Sequence, residues 1–361
     1  MAKSLDQDLD LKLRFRRILF CQGYWSPIEV ELSQYENLGT SLKRRSLTDL
    51  DVLGVKYDRL FTPFRVVGDC KSGKNISDIN RLFWLKGIKE YFGADQAYFL
   101  HPVVKSHTRG IAPKLGVRIL DDKALLLVED NLEVSGFDLP LADKKIHEGI
   151  TKLWGIDVPK GLKPTKDQIE LKKVYSYLSY SYWYIEQYRN ILSIIDHFKR
   201  IAPLLSENND RHVLLAYTGL ERFVHSLMEA ANHVLAQGGT NIIRETRTYI
   251  YGGALNLREK EEFFRLLSSL TESNEQLDPS YFQDVVELLG RMIRNPNGAC
   301  DILRHLNAIY LWCVCLGNNT LLSLDKDGEN TAAIVLTRDA ALTFAKVAGM
   351  KEAIFKKILV L

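Results

Sequence analysis

Two aspartates and a lysine mark the most informative stretch of this 361-residue sequence, LTDLDVLGVKYDRLFTPFRVVGDCKSGK over 47–74. Asp51 precedes an apolar VLG run, and Asp69 and Lys71 stand two apart at the end of another. If both runs are strands, period-2 alternation puts Asp69 and Lys71 on one face, and pairing of neighbouring strands brings Asp51 to the same spot. Two carboxylates meeting beside an ammonium are costly to bury unless something compensates. A divalent cation, Mg²⁺ or Mn²⁺, does so, with the Asp51 and Asp69 oxygens and the Cys70 backbone carbonyl as hard ligands. Such a centre suits phosphodiester hydrolysis. The cation polarises the phosphate and lowers the pKa of a bound water, while Lys71 holds that water or helps deprotonate it and offsets developing charge. Asp49 shares a strand face with Asp51 and can replace it as ligand, and Glu31 is a further acid nearby.

The elements that must position these residues are legible as patterns. Residues 5–22 predict a helix closed by Gly23. SPIEVELSQYE, TDLDVLGVKYD and PFRVVGDCKSG predict three strands, and the short or polar links between them make an antiparallel meander. Ser77 and Gly93 bracket a helix over 77–92. QAYFLHPVV and GVRILD predict a fourth and a fifth strand, with KALLLVED following. Gly, Pro and Lys enrich 136–164, which predicts a linker. Beyond it the pattern is helical almost throughout: 165–200, 210–237, 256–272, 279–294, 299–317 and 337–358. The expected fold is therefore α+β, a mixed sheet flanked by helices over 1–135, followed by an all-α domain over 165–361.

At these residues the sequence resembles the PD-(D/E)xK nuclease superfamily, particularly its Mrr-like, restriction-endonuclease-like members. There a helix precedes strands carrying an Asp and then (D/E)-x-K, with a helix afterwards. The resemblance covers about 5–130. It implies a restriction-endonuclease-like α/β sandwich, Asp51 and Asp69 as metal ligands and Lys71 as catalytic lysine. Asp69 stands where Glu is commoner. Members also carry an acid on the first helix, for which Asp6, Asp8 and Asp10 are available. The resemblance further implies DNA as substrate, a homodimer cutting one strand per site, and a setting such as prokaryotic restriction or anti-phage defence. The helical domain would then bind target, dimerise or dock a partner protein.

Charge agrees in sign. The net charge is +3, yet residues 41–120 hold fifteen Lys or Arg against seven Asp or Glu, leaving −5 for the remainder. A local excess of +8 is what a polyanion-binding surface needs, with Lys43, Arg44, Arg45, Lys74 and Arg81 as its residues. Five cysteines, at 21, 70, 300, 313 and 315, are too few and odd in number for a disulfide framework and predict a reducing cytoplasm. No apolar run reaches a membrane span, and the N-terminus lacks the order of a signal peptide.

Three alternatives compete. Gly68–Asn75 fits G-x-x-x-x-G-K-[ST] except at Asn75, with ALLLVED (124–130) as an hhhhDE strand, which would make a P-loop nucleotide hydrolase using Lys74. A nuclease-like domain without activity would bind nucleic acid or serve assembly. The acids and lysine could also be a salt-bridged surface cluster of little energetic weight. The aromatic run YSYLSYSYWYIEQY (175–188) reads as core or interface before it reads as a base-stacking platform. The eight histidines show no ligand or catalytic spacing.

Overall fold

A computed structural model describes residues 2–37, 42–73, 76–134, 143–156, 158, 161–271, 277–311 and 331–359. The chain divides into two compact units. The first comprises Met1–Lys56, Pro63–Lys152 and Asn307–Leu322, and the second Tyr57–Thr62, Leu153–Leu306 and Ser323–Leu361.

The first unit is a five-stranded mixed sheet in the order β1 (Ile28–Asn37), β2 (Leu42–Tyr57), β3 (Pro63–Cys70), β4 (Gln96–Leu100), β5 (Val117–Leu120). β1 and β2 are antiparallel, with Val30 opposite Leu50 and Glu31 opposite Asp49. The tight link from β2 to β3, where Phe61 N–H donates to the Asp58 carbonyl (2.9 Å), admits only an antiparallel return. β3, β4 and β5 run parallel, which requires crossovers. The first crossover is α2 (Asp78–Phe92), whose Gly93 closes it in the left-handed region at φ 65°. The second is α3 (Ser106–Ile111) with a 3₁₀ turn.

Helix α1 (Ala2–Cys21) presents Leu11, Phe15, Ile18 and Leu19 to one sheet face. They pack with Val52, Val66, Cys70, Leu100 and the Leu125 of α4 (Asp122–Asn131). Glu129 of α4 ties the two helices by accepting from Arg14 (2.6 and 3.0 Å) and Arg17 (3.3 Å). Val67, Ala97 and Phe99, of opposite parity along their strands, are equally buried, and α2 contacts β4. Both faces of β3 are thus covered, as parallel strands require.

Phe15 lies against Gly68, where a built Cβ would stand 2.6 Å from the ring. Gly68→Ala is expected to cost about 1–3 kcal/mol by overpacking. Urea unfolding measures it, and Phe15→Leu in the same chain should recover part of the loss.

Two expected elements differ. ALLLVED is helical within α4: Asp121 accepts from Ala124 N–H (2.9 Å) as N-cap, and Leu125 and Glu129 are buried one turn apart. The span expected as a linker holds α5 (Lys144–Leu153), while 135–142 lie outside the described residues.

The second unit is helical as expected, with its longest helix at Asp210–Ala236. The helix expected over 165–200 is broken by a π turn at Tyr177–Ser181 and by extended Ile185. Tyr175, Tyr177 and Tyr182 of the aromatic run are buried there, Tyr177 donating to Asn190 Oδ1 (2.7 Å). No helix among the described residues is long and apolar enough to cross a membrane.

Candidate active site

Backbone geometry explains why the two aspartates meet. Lys71 N–H donates to the Leu100 carbonyl (2.9 Å), toward β4. Successive strand amides point to opposite sides, so Cys70 N–H points toward β2. There it is taken by the Asp51 side chain, Oδ2 at 2.8 Å. A side chain thus replaces a ladder carbonyl, and Asp51 is held between β2 and β3. Lys71 Nζ then lies 2.9 Å from Asp51 Oδ2 and 3.7 Å from Asp69 Oδ1.

Three more side chains complete the cluster. Lys12 of α1 places Nζ 2.9 Å from Asp51 Oδ1 and 3.2 Å from Glu29 Oε1. Arg81 of α2 forks both Asp69 oxygens, Nε to Oδ2 at 2.8 Å and Nη2 to Oδ1. Its guanidinium lies 4.0 Å from the Trp84 ring centre. Asp8 of α1 accepts from Ser72 N–H (2.6 Å) and Ser72 Oγ (2.5 Å), fixing the chain just past Lys71.

Asp51 and Asp69 are 2% and 1% exposed, so their charges persist only through these partners. The cluster holds four carboxylates (Asp8, Asp51, Asp69, Glu29) and three cations (Lys12, Lys71, Arg81). Burial pushes the Asp51 carboxyl up, but Lys12 and Lys71 outweigh it and hold it below the usual range. Burial wins at Asp69, whose carboxyl is raised despite Arg81. For Lys12 and Lys71 burial favours the neutral amine, yet the neighbouring acids raise both. Burial also pushes the Cys70 thiol well up, and its side chain belongs to the core.

The cluster opens on a cavity of about 540 Å³. It is lined by Asp8, Lys12, Glu29, Asp49, Asp51 and Lys71. His147, Glu148, Thr151 and Lys152 of α5 line it too. Asp69 sits behind Arg81 and does not line it. A larger cavity of about 790 Å³ runs along β5; it is lined by Arg109 and Arg118 but by no carboxylate.

The remaining predicted residues are placed as follows. Asp49 is at the cavity rim. Glu31 turns to Arg44 (3.3 Å) and Ser33 (3.0 Å) and does not line the cavity. Asp10 faces Lys144 at 3.8 Å, so the first-helix acid at the site is Asp8. Lys43, Arg44 and Arg45 are exposed on β2, opposite Glu36, Tyr35 and Gln34. Arg81 is turned inward to Asp69 instead of outward. Lys74, Asn75, Cys313 and Cys315 lie outside the described residues. Gly68–Cys70 are strand, and the run that a P-loop needs as its second strand is α4.

Sequence reasoning missed Lys12, Glu29 and all of α5. The one available signal was the Asp8–Lys12 spacing, one helical turn on the edge of the apolar stripe.

As donors for a divalent cation the carboxylates are chemically apt, and Asp51 Oδ1 is buried with the Lys12 ammonium beside it at 2.9 Å. The other oxygens are engaged by Lys71, Cys70 N–H and Arg81, and no cage of three or more His, Cys, Asp or Glu forms among the described residues. A cation held between the two carboxylates would have to displace the Lys12 and Lys71 ammoniums from Asp51 and the Arg81 guanidinium from Asp69. No protein-family model, curated protein or solved structure matches this chain.

Proposed function

We propose that the chain is a divalent-cation-dependent nuclease that hydrolyses phosphodiester bonds in DNA, with a PD-(D/E)xK, restriction-endonuclease-like first unit. The carrying observation is one ammonium, Lys71, within 2.9 and 3.7 Å of two buried carboxylates on neighbouring strands, at the mouth of a cavity. The element order supports the reading: helix, antiparallel meander, crossover helix, parallel strand. A cytoplasmic homodimer in restriction or anti-phage defence accords with it.

Asp51 and Asp69 would hold Mg²⁺ or Mn²⁺, with the Cys70 carbonyl adjacent; when bound, the ion supplies polarisation of the phosphate and acidification of water. The chain's own part follows from charge. Lys71 stays an ammonium, holds a non-bridging oxygen of the scissile phosphate and offsets charge as it develops. Lys12 keeps Asp51 ionised and pointed at the cavity. Lys152, also in the cavity lining, meets a neighbouring phosphate of the strand.

Purified protein with plasmid, linear duplex or single-stranded DNA and Mg²⁺ or Mn²⁺ tests this. Cleavage lost in Asp51→Ala and retained in Lys74→Ala is the expected result; loss in Lys74→Ala with nucleotide turnover would install the P-loop reading instead. A second reading, a nucleic-acid binder without chemistry, is favoured by the exposed Lys43, Arg44 and Arg45 of β2. It predicts salt-sensitive DNA binding that survives Asp51→Ala, with no cleavage by any form.

A further inference from the structure

We propose that His147, on α5, is the general base of the proposed phosphodiester hydrolysis and takes the proton from the attacking water. This rests on the hydrolytic reading of the site and adds to it a residue from a segment that reads as linker.

His147 lines the same cavity of about 540 Å³ as Asp51 and Lys71. The length scale of such a space matches a phosphate with a water beside it, so an imidazole and an ammonium in its lining can both reach one reacting centre. Thr151 orients the ring. Its Oγ donates to the His147 carbonyl (3.0 Å) and so presents a lone pair 3.5 Å from Nε2. That arrangement favours hydrogen on Nε2 and leaves Nδ1 to accept a proton. Thr151 is a positioning residue.

The other cavity groups are unsuited to the task. Lys12 and Lys71 are held protonated by their acids. Asp51 is engaged by both lysines, Glu29 by Lys12 and Asp8 by Ser72. Asp49 and Glu148 are exposed carboxylates, turned to solvent at the rim. His147 is lowered from its ordinary value, first by burial and then by Arg16 and Lys12 of α1, against Glu29 of β1 and its helix neighbour Glu148. It is therefore neutral at pH 7, the form a base requires.

The step balances. Nδ1 takes a proton from water as the water oxygen bonds to phosphorus. The bond from phosphorus to the bridging oxygen breaks with its electron pair, and that oxygen takes a proton from solvent. The imidazolium then returns its proton to solvent.

The test combines kinetics and spectroscopy on the full chain. His147→Gln is expected to lower the cleavage rate about 10²–10³-fold. It should also remove the limb on which the wild-type rate rises with pH through the lowered His147 value. Added imidazole should restore part of the rate to His147→Ala. In metal-free protein, His147 should titrate below 6.5 by NMR, and its ring signals should shift when thymidine 3′,5′-bisphosphate is added. Cleavage that needs Lys71 but not His147, an unchanged acid limb, or ring signals indifferent to the bisphosphate would overturn this assignment alone. No cleavage by the unaltered chain with either cation would overturn the hydrolytic reading and this one together.

Discussion

Lys71→Met should cut DNA about 10²–10³ times more slowly than the unaltered chain at saturating Mg²⁺, because one preorganised cation is removed from the centre where charge develops. Methionine keeps the length and apolar stem of lysine and deletes only the ammonium. The two buried acids then lose the charge that sits between them at 2.9 and 3.7 Å, so their mutual repulsion grows. Affinity for a divalent cation should hold or improve, since a competitor for Asp51 Oδ2 has gone. Calorimetric titration with Mn²⁺ beside the cleavage rate separates this pattern from a damaged fold, which would weaken both. A Lys71→Met chain cutting at the unaltered rate would remove Lys71 from the chemistry.

The largest effect on stability is expected at Arg81. Arg81→Ala leaves Asp69, 1% exposed, with its nearest compensation 3.7 Å away at Lys71, and breaking one side of a buried pair costs about 3–5 kcal/mol. The loss depends on pH, and its sign follows from linkage. Asp69 is already raised by burial, so its contribution favours folding below the unfolded value of 3.8 and fades as pH climbs through the folded value. Without Arg81 that folded value climbs further. The gap between unaltered and variant chains should therefore widen from pH 4.5 to pH 7, measured by urea unfolding. Asp51, held low by its lysines, acts oppositely: its contribution is present above 3.8 and disappears as pH falls through the folded value. Millimolar Mg²⁺ should stabilise Arg81→Ala more than the unaltered chain, because the freed Asp69 can take the ion without first displacing a guanidinium.

The parts of this fold governed by local rules were legible from residue pattern. Alternating apolar residues gave β1 to β3, and Ser77 and Gly93 bracketed α2, although the Ser77 side chain makes no cap bond and only Gly93 closes the helix as its type suggests. Asp51, Asp69 and Lys71 could be placed together because strand period and neighbour pairing are short-range inferences. Lys12 could not, since a lysine on an amphipathic helix is by default solvated, and only tertiary packing reveals that this one is 11% exposed. ALLLVED was ambiguous because five consecutive apolar residues fit a buried strand and a buried helix alike. α5 was hidden by the glycines and prolines on either side of it, which outweigh its own amphipathic pattern, Ile146, Ile150 and Leu153.

The bond from Lys71 N–H to the Leu100 carbonyl carries a consequence for biosynthesis. The cluster draws on Asp8 and Lys12 at one extreme and on Leu100 at the other, so a growing polypeptide on the ribosome cannot assemble it until Leu100 has left the exit tunnel. The order of translation thus keeps the buried acids and their lysines apart until the parallel strand that anchors them exists.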